Sequence, residues 1–96
     1  MSTSQPREIA HTVVTMGVAS ALVIAANANR SYLLIINDSD VAVYLKVGVA
    51  AVLNEGIRIN ANGGSFEMSA INGNLDTRVI NGIAVAAAKI VTIAEA

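Results

Sequence analysis

The chain has 96 residues, the size of one domain, and 54% of them are hydrophobic while 14% are charged, against about 25% charged in an average domain. The lack of cysteine excludes disulfides, thiolate metal sites and a cysteine nucleophile; a net charge of -1 with six scattered Lys and Arg excludes the basic stripe of a nucleic-acid binder. No stretch approaches the ~20 consecutive apolar residues of a membrane helix, so a mean hydropathy of +0.60 points to apolar surface covered by other subunits, beside a share of Ala that needs no cover.

Residues 1–12, MSTSQPREIAHT, read as an N-terminal arm outside a single β-sandwich domain spanning 13–96. The segment is polar, Pro6 blocks regular strand pairing, and it lacks the apolar core of a signal peptide, which points to synthesis in the cytosol. It is either a frayed tail or an arm that orders on a partner. In the second case Arg7 and Glu8 can pair with a neighbour and Ile9 can anchor in a groove.

Between His11 and Ile24 an extended piece begins at Val13-Val14, breaks at Gly17 and resumes at 21–24. The turn AANANR follows. Next comes SYLLIIN, with Leu33 and Ile35 on one face and Tyr32, Leu34 and Ile36 on the other. Both faces are apolar, so this strand is central in a sandwich or lies at an interface. Residues 41–47 alternate cleanly: Val41, Val43, Leu45 and Val47 point one way, Ala42, Tyr44 and Lys46 the other. Ile57 and Ile59, then Phe66 and Met68, continue the alternation. The whole block from 31 to 69 reads as a meander. Gly56 lies in the loop before Ile57, and Gly63-Gly64 predicts a tight hairpin between the last two strands.

The C-terminal third is more ambiguous. Residues 78–85 and 89–95 form two strands around Ala86-Ala87-Ala88, or residues 83–94 form one Ala-rich helix. Apolar residues on every side and the β-branched Val85, Ile90, Val91, Thr92 and Ile93 favour strands. The sum is an all-β fold: a compact antiparallel β-sandwich or jelly roll of seven or eight short strands. The period-2 pattern assigns a core of Leu22, Ile24, Leu33, Ile35, Val43, Leu45, Ile57, Ile59, Phe66, Met68, Val79, Ile83 and Ile93.

A search for chemistry ends without a catalyst. The carboxylates Glu8, Asp38, Asp40, Glu55, Glu67, Asp76 and Glu95 fall in turns or on exposed faces. Asp38-Ser39-Asp40 lacks the later ligands of a calcium loop and reads as a turn held by side-chain-to-backbone bonds. His11 has no Cys or His partner at ligand spacing. The Gly63-Gly64 loop opens no helix and lacks the Lys of a phosphate loop. The expectation is therefore a non-enzymatic protein with no catalytic residue, no metal and no cofactor.

The run LVIAANANRSYLLIINDSDVAVYLKVGVAAVLNEGIRINANGGSFEMS carries five elements in order. They are an Ala-Asn-x-x-Arg turn (26–30), an apolar strand ending in Asn (33–37) and a V-x-V-Y-L strand (41–45). A G-I-x-I strand (56–59) and a G-G-S-F-E segment (63–67) complete the set. In this it resembles a class of small β-rich virion proteins encoded among tailed-bacteriophage structural genes, over about residues 20–95. Ala86-Ala87-Ala88 departs from the Gly or Ser expected before the last strand of that class. The resemblance implies a capsid decoration, or cement, protein on the outer surface of the virion, made in the bacterial host cytoplasm. Its partner would be the major capsid protein. A homo-oligomer follows, with a trimer favoured because three-fold positions on a shell suit a closed cyclic assembly, and neither nucleic acid nor membrane is involved. The candidate capsid or subunit contacts are Arg7, Glu8, Ile9, Tyr32, Leu34, Ile36 and Tyr44. The alternative is a tail, fibre or host-surface-binding β module, against which the low aromatic content counts.

Overall fold

The computed structural model describes residues 8–96. Eight strands follow one another: β1 (Ala10–Met16), β2 (Ala21–Ile24), β3 (Tyr32–Asn37), β4 (Val43–Val47), β5 (Ile57–Ile59), β6 (Gly64–Ser69), β7 (Ile80–Ala84) and β8 (Lys89–Glu95). The described residues contain no helix, so residues 83–94 take the two-strand form. Ala is a strong helix former, but Ile90, Val91, Thr92 and Ile93 prefer the pleated surface. The inward side of β8 also seals the core with Val91 and Ile93.

The strands form two four-stranded antiparallel sheets in the orders β1-β8-β3-β6 and β2-β7-β4-β5. Every connection except β4 to β5 crosses from one sheet to the other. This is the double Greek key of a jelly roll. It corrects the expected meander, and with it the expected β5–β6 hairpin. β5 pairs with β4 while β6 pairs with β3, so the Gly63-Gly64 turn carries the chain across the sandwich. Its two glycines serve different ends. Gly63 has φ +99° in open space, whereas a Cβ on Gly64 would lie 2.3 Å from the Asn60 carbonyl oxygen.

The start of β1 also moves the expected arm boundary. Residues 10–12 pair with β8 in unbroken register, from Ala10 opposite Glu95 to Met16 opposite Lys89. Their polarity fits an edge strand that needs only one apolar face. Arg7 lies outside the described residues.

Of the predicted core, Leu33, Ile35, Val43, Leu45, Ile59, Met68 and Ile93 are buried; Ile24, Ile57 and Phe66 pack against them half-buried. Two strands present the opposite face to that expected. In β2 the register shifts between Leu22 and Ile24, and Val23 fills the core while Leu22 stands 52% exposed. In β7 the inward positions are Ile80, Gly82 and Ala84, leaving Val79 and Ile83 half-buried. Gly82 faces inward because Met16 Sδ, Val23 and Leu45 occupy the space its side chain would need.

Two buried polar residues tie the sandwich together. Arg30 is 3% exposed. Its Nε donates to Glu95 Oε2 at 2.7 Å, and its other nitrogens donate to the carbonyls of Asp76, Arg78 and Ala25 at 2.7, 3.1 and 2.8 Å. One side chain thereby joins the β2–β3 turn, the β6–β7 connection and the last strand. Asn37, fully buried, donates to the carbonyls of Val41 and Ile59 and accepts from the Ser39 amide and hydroxyl. The predicted turn at residues 38–40 is thus held from Asn37. No buried side-chain nitrogen or oxygen among the described residues lacks a partner, as a low-dielectric interior requires.

Candidate functional site

Strand register decides what the outer face of the β1-β8-β3-β6 sheet presents. His11 stands opposite Ala94, which stands opposite Leu34. Val13 stands opposite Thr92, which stands opposite Ile36. Directly opposed residues share a face. The middle strand therefore contributes the small Thr92 and Ala94, while its neighbours contribute larger side chains. The result is a groove of about 400 Å³ running along β8. Its floor is β8 and its walls are His11 and Val13 on one side, Leu34 and Ile36 on the other.

The surface of this groove is mostly apolar, and His11 is its one titratable side chain among the described residues. Tyr32 belongs to the same face. Its hydroxyl donates to Glu67 Oε2 at 2.6 Å, and this bond to a carboxylate holds the phenol above its ordinary pKa. Its polar end is thus engaged within the sheet.

The structure brings Tyr32, Leu34 and Ile36 together and leaves Tyr44 apart. Tyr44 lies on the outer face of the other sheet, with the Arg58 guanidinium 6.0 Å from its ring centre, the outer range of a cation–π contact. Glu8 and Ile9 are exposed just ahead of β1. Gly56, with φ +81°, makes the turn into β5. His11, Val13, Thr92 and Ala94 were not picked out by the sequence reading. The alternation of His11, Val13 and Thr15 carried a strand signal that the polar composition of the N-terminus obscured.

Among the described residues, no group of three or more His, Cys, Asp or Glu side chains is placed to hold a metal ion. The charged groups form local pairs instead. Asp76 accepts from the Arg78 side chain and amide, which hold its carboxyl down at about 2. Lys89 donates to Asp40 at 2.7 Å and lowers that carboxyl. Each pair spans a turn or joins loop to strand, and neither faces the groove. The groove offers apolar contact area, with His11 in its wall.

Comparison of the chain with protein-family models, with curated proteins and with solved structures returns no match.

Proposed function

We propose that this chain is a non-enzymatic structural protein of a tailed-phage virion, a capsid decoration protein that binds the assembled head from outside and bridges capsomers. The observation that carries the reading is the apolar groove face of His11, Val13, Leu34, Ile36, Thr92 and Ala94 on a sandwich whose core is complete without it. A face of this kind serves docking, and the residue chemistry around it supplies no acid, base or nucleophile pair. The motif resemblance in residues 26–67 supports the virion assignment, and the jelly roll is a fold used repeatedly in capsids, a support by analogy only. The major capsid protein is the proposed partner, with the chain self-associating on the shell, as a trimer in the form expected from the sequence.

A cement protein acts through linkage. It binds the assembled shell and not the free subunits, so it shifts the assembly equilibrium by RT ln(1 + [L]/Kd), about 2.7 kcal/mol per site at a hundred-fold excess over Kd. No chemical step is required of it.

The test is quantitative protein analysis of purified particles made from the genome that encodes the chain, together with rebinding of the Leu34→Asp variant to stripped heads. A copy number near that of the major capsid protein, with rebinding lost and melting temperature retained, is the expected result. A few copies per particle would move the protein to a tail, fibre or host-binding role. Absence from particles would refute the assignment.

A further inference from the structure

The two sheets leave four edge strands, β1, β6, β2 and β5. Three carry the devices that keep an open edge from pairing with another chain. β5 is three residues long and holds the exposed Arg58. β2 is four residues long and its register shifts midway. β6 begins at the tightly packed Gly64 and holds the exposed Glu67. β1 has none of these. Its seven residues, Ala-His-Thr-Val-Val-Thr-Met, include no Asp, Glu, Lys, Arg or Pro. Its pairing with β8 is continuous, without a bulge. Val13 stands 66% exposed at its centre, and β-branched residues fill positions 12–15.

We infer that β1 is a self-pairing edge. Two copies of this chain join their β1 strands antiparallel about a two-fold axis through Val13, turning two four-stranded sheets into one continuous eight-stranded sheet. A second copy is the occupant because the strand is uncharged along its whole length and carries a run of four β-branched residues about its middle. A neutral edge meets its own copy without like-charge repulsion, whereas a different partner gains no charge complementarity from it. An axis through a residue, and not between two, keeps both outer faces on the same side of the joined sheet. With the axis at Val13, Val13 meets its counterpart, Thr12 lies opposite Val14 of the second copy, and His11 lies opposite Thr15.

The contact sets its own strength. A strand of seven residues spans about 24 Å, and one pair of strands buries less than the roughly 800 Å² per partner of a standard stable interface. Pairing is therefore weak in dilute solution and is strengthened where copies are held close together. It also sets the two grooves side by side across the axis, making one broader apolar surface. The contact joins copies in pairs, so a trimer would use a different surface. The inference stands independently of the capsid reading.

The absence of native cysteine makes the test direct. In Val13→Cys the two thiols sit across an antiparallel pair, with Cα atoms roughly 4.5–5.5 Å apart, within the span of a disulfide. Ile71→Cys is the control, since Ile71 is 97% exposed and lies in the β6–β7 connection at the other end of the sheet. Both variants are oxidised mildly at the same high protein concentration, after their melting temperatures are matched to the parent chain. The expected result is covalent dimer forming about ten-fold or more faster for Val13→Cys, as held-together thiols require, and wild-type dimer in sedimentation that disappears in Val13→Lys. Equal crosslinking rates for the two cysteine variants, or sedimentation unchanged by Val13→Lys, overturn the inference.

Discussion

Replacing Arg30 should be the most damaging single change on this fold outside the apolar core. Arg30→Met keeps much of the stem that packs in the interior but removes all four donated bonds at once. Glu95 loses its cation, and the carbonyls of Ala25, Asp76 and Arg78 lose a donor. Breaking one side of a buried ion pair costs about 3–5 kcal/mol. Most of that is the penalty of groups left unpaired in a poor solvent. Glu95 retains some access to water, with 16% of its side chain exposed, which argues for the lower half of that range. Total stability for a domain is about 5–15 kcal/mol, so the loss is a large share of it.

At about 4–8 °C per kcal/mol for a domain of this size, the melting temperature should fall by roughly 15–30 °C. Arg30→Lys should be intermediate, because an ammonium cannot reach acceptors spread around a planar fork. Glu95→Gln combined with Arg30→Met should cost less than the sum of the two, since the partners share one interaction. Thermal melts by circular dichroism near 215 nm and urea titrations read all four chains. If Arg30→Met melts within a few degrees of the parent, the guanidinium is not what joins the three segments.

Gly64→Ala should destabilise by about 1–3 kcal/mol through collision with the Asn60 backbone, and more than Gly63→Ala, which meets no atom and bears only the roughly 1 kcal/mol of a positive φ; reversed order in urea titrations would refute the packing argument. Ala88→Gly should raise the melting temperature, because Ala88 holds φ +61° at a cost of about 1–2 kcal/mol, partly offset by a looser unfolded chain. Stability should fall on acidification from about pH 4 towards 2. The Asp76 carboxyl is held below its unfolded value, down to about 2, so its contribution is complete above the unfolded value and disappears as pH drops through the folded one. Asp76→Asn should shrink that acid loss, measured as melting temperature against pH.

The strands were legible because alternation is local. Leu33 and Ile35, or Val43 and Leu45, declare their face from two positions away, and they are buried as the pattern requires. Faces failed where local alternation does not choose between two sides. In β2 Ala21 and Val23 turn inward and Leu22 outward, and in β7 a glycine sits inward where Met16, 66 positions earlier and in the other sheet, fills the space a side chain would need. No local rule contains that fact. The order of the strands was illegible for the same reason. The turns at residues 38–40 and 60–64 have the chemistry of hairpins, and composition does not distinguish a turn that returns in one sheet from a turn that crosses to the other. Arg30 read only as one of six scattered basic residues and as the end of an Ala-Asn-x-x-Arg turn. Its burial follows from three carbonyls and a carboxylate that converge only in the folded chain. The groove, too, is a product of adjacency: small residues on β8 become a floor because β1 and β3 flank them.

The hydrophobic excess of the chain resolves into two populations with different physical consequences. The first is a compact interior of mostly Val, Leu, Ile and Met, closed at its polar ends by Arg30 and Asn37. Those two residues satisfy the loop carbonyls from within, so the fold needs nothing from its outer faces. The second population is outside: Val13, Leu22 and Ile90 stand exposed and Leu34 and Ile36 half-exposed. Their cost in water is not repaid by folding, because the core is complete without them. Free energy of this kind is recovered only when another surface covers it. A rigid interior with an apolar exterior is thus a division that suits a component whose work is contact. It also explains why the unguarded strand and the groove share Val13. The residue that lines one is the centre of the other, and substitutions there test both surfaces at once, with Leu34→Asp altering the groove while leaving the β1 edge untouched.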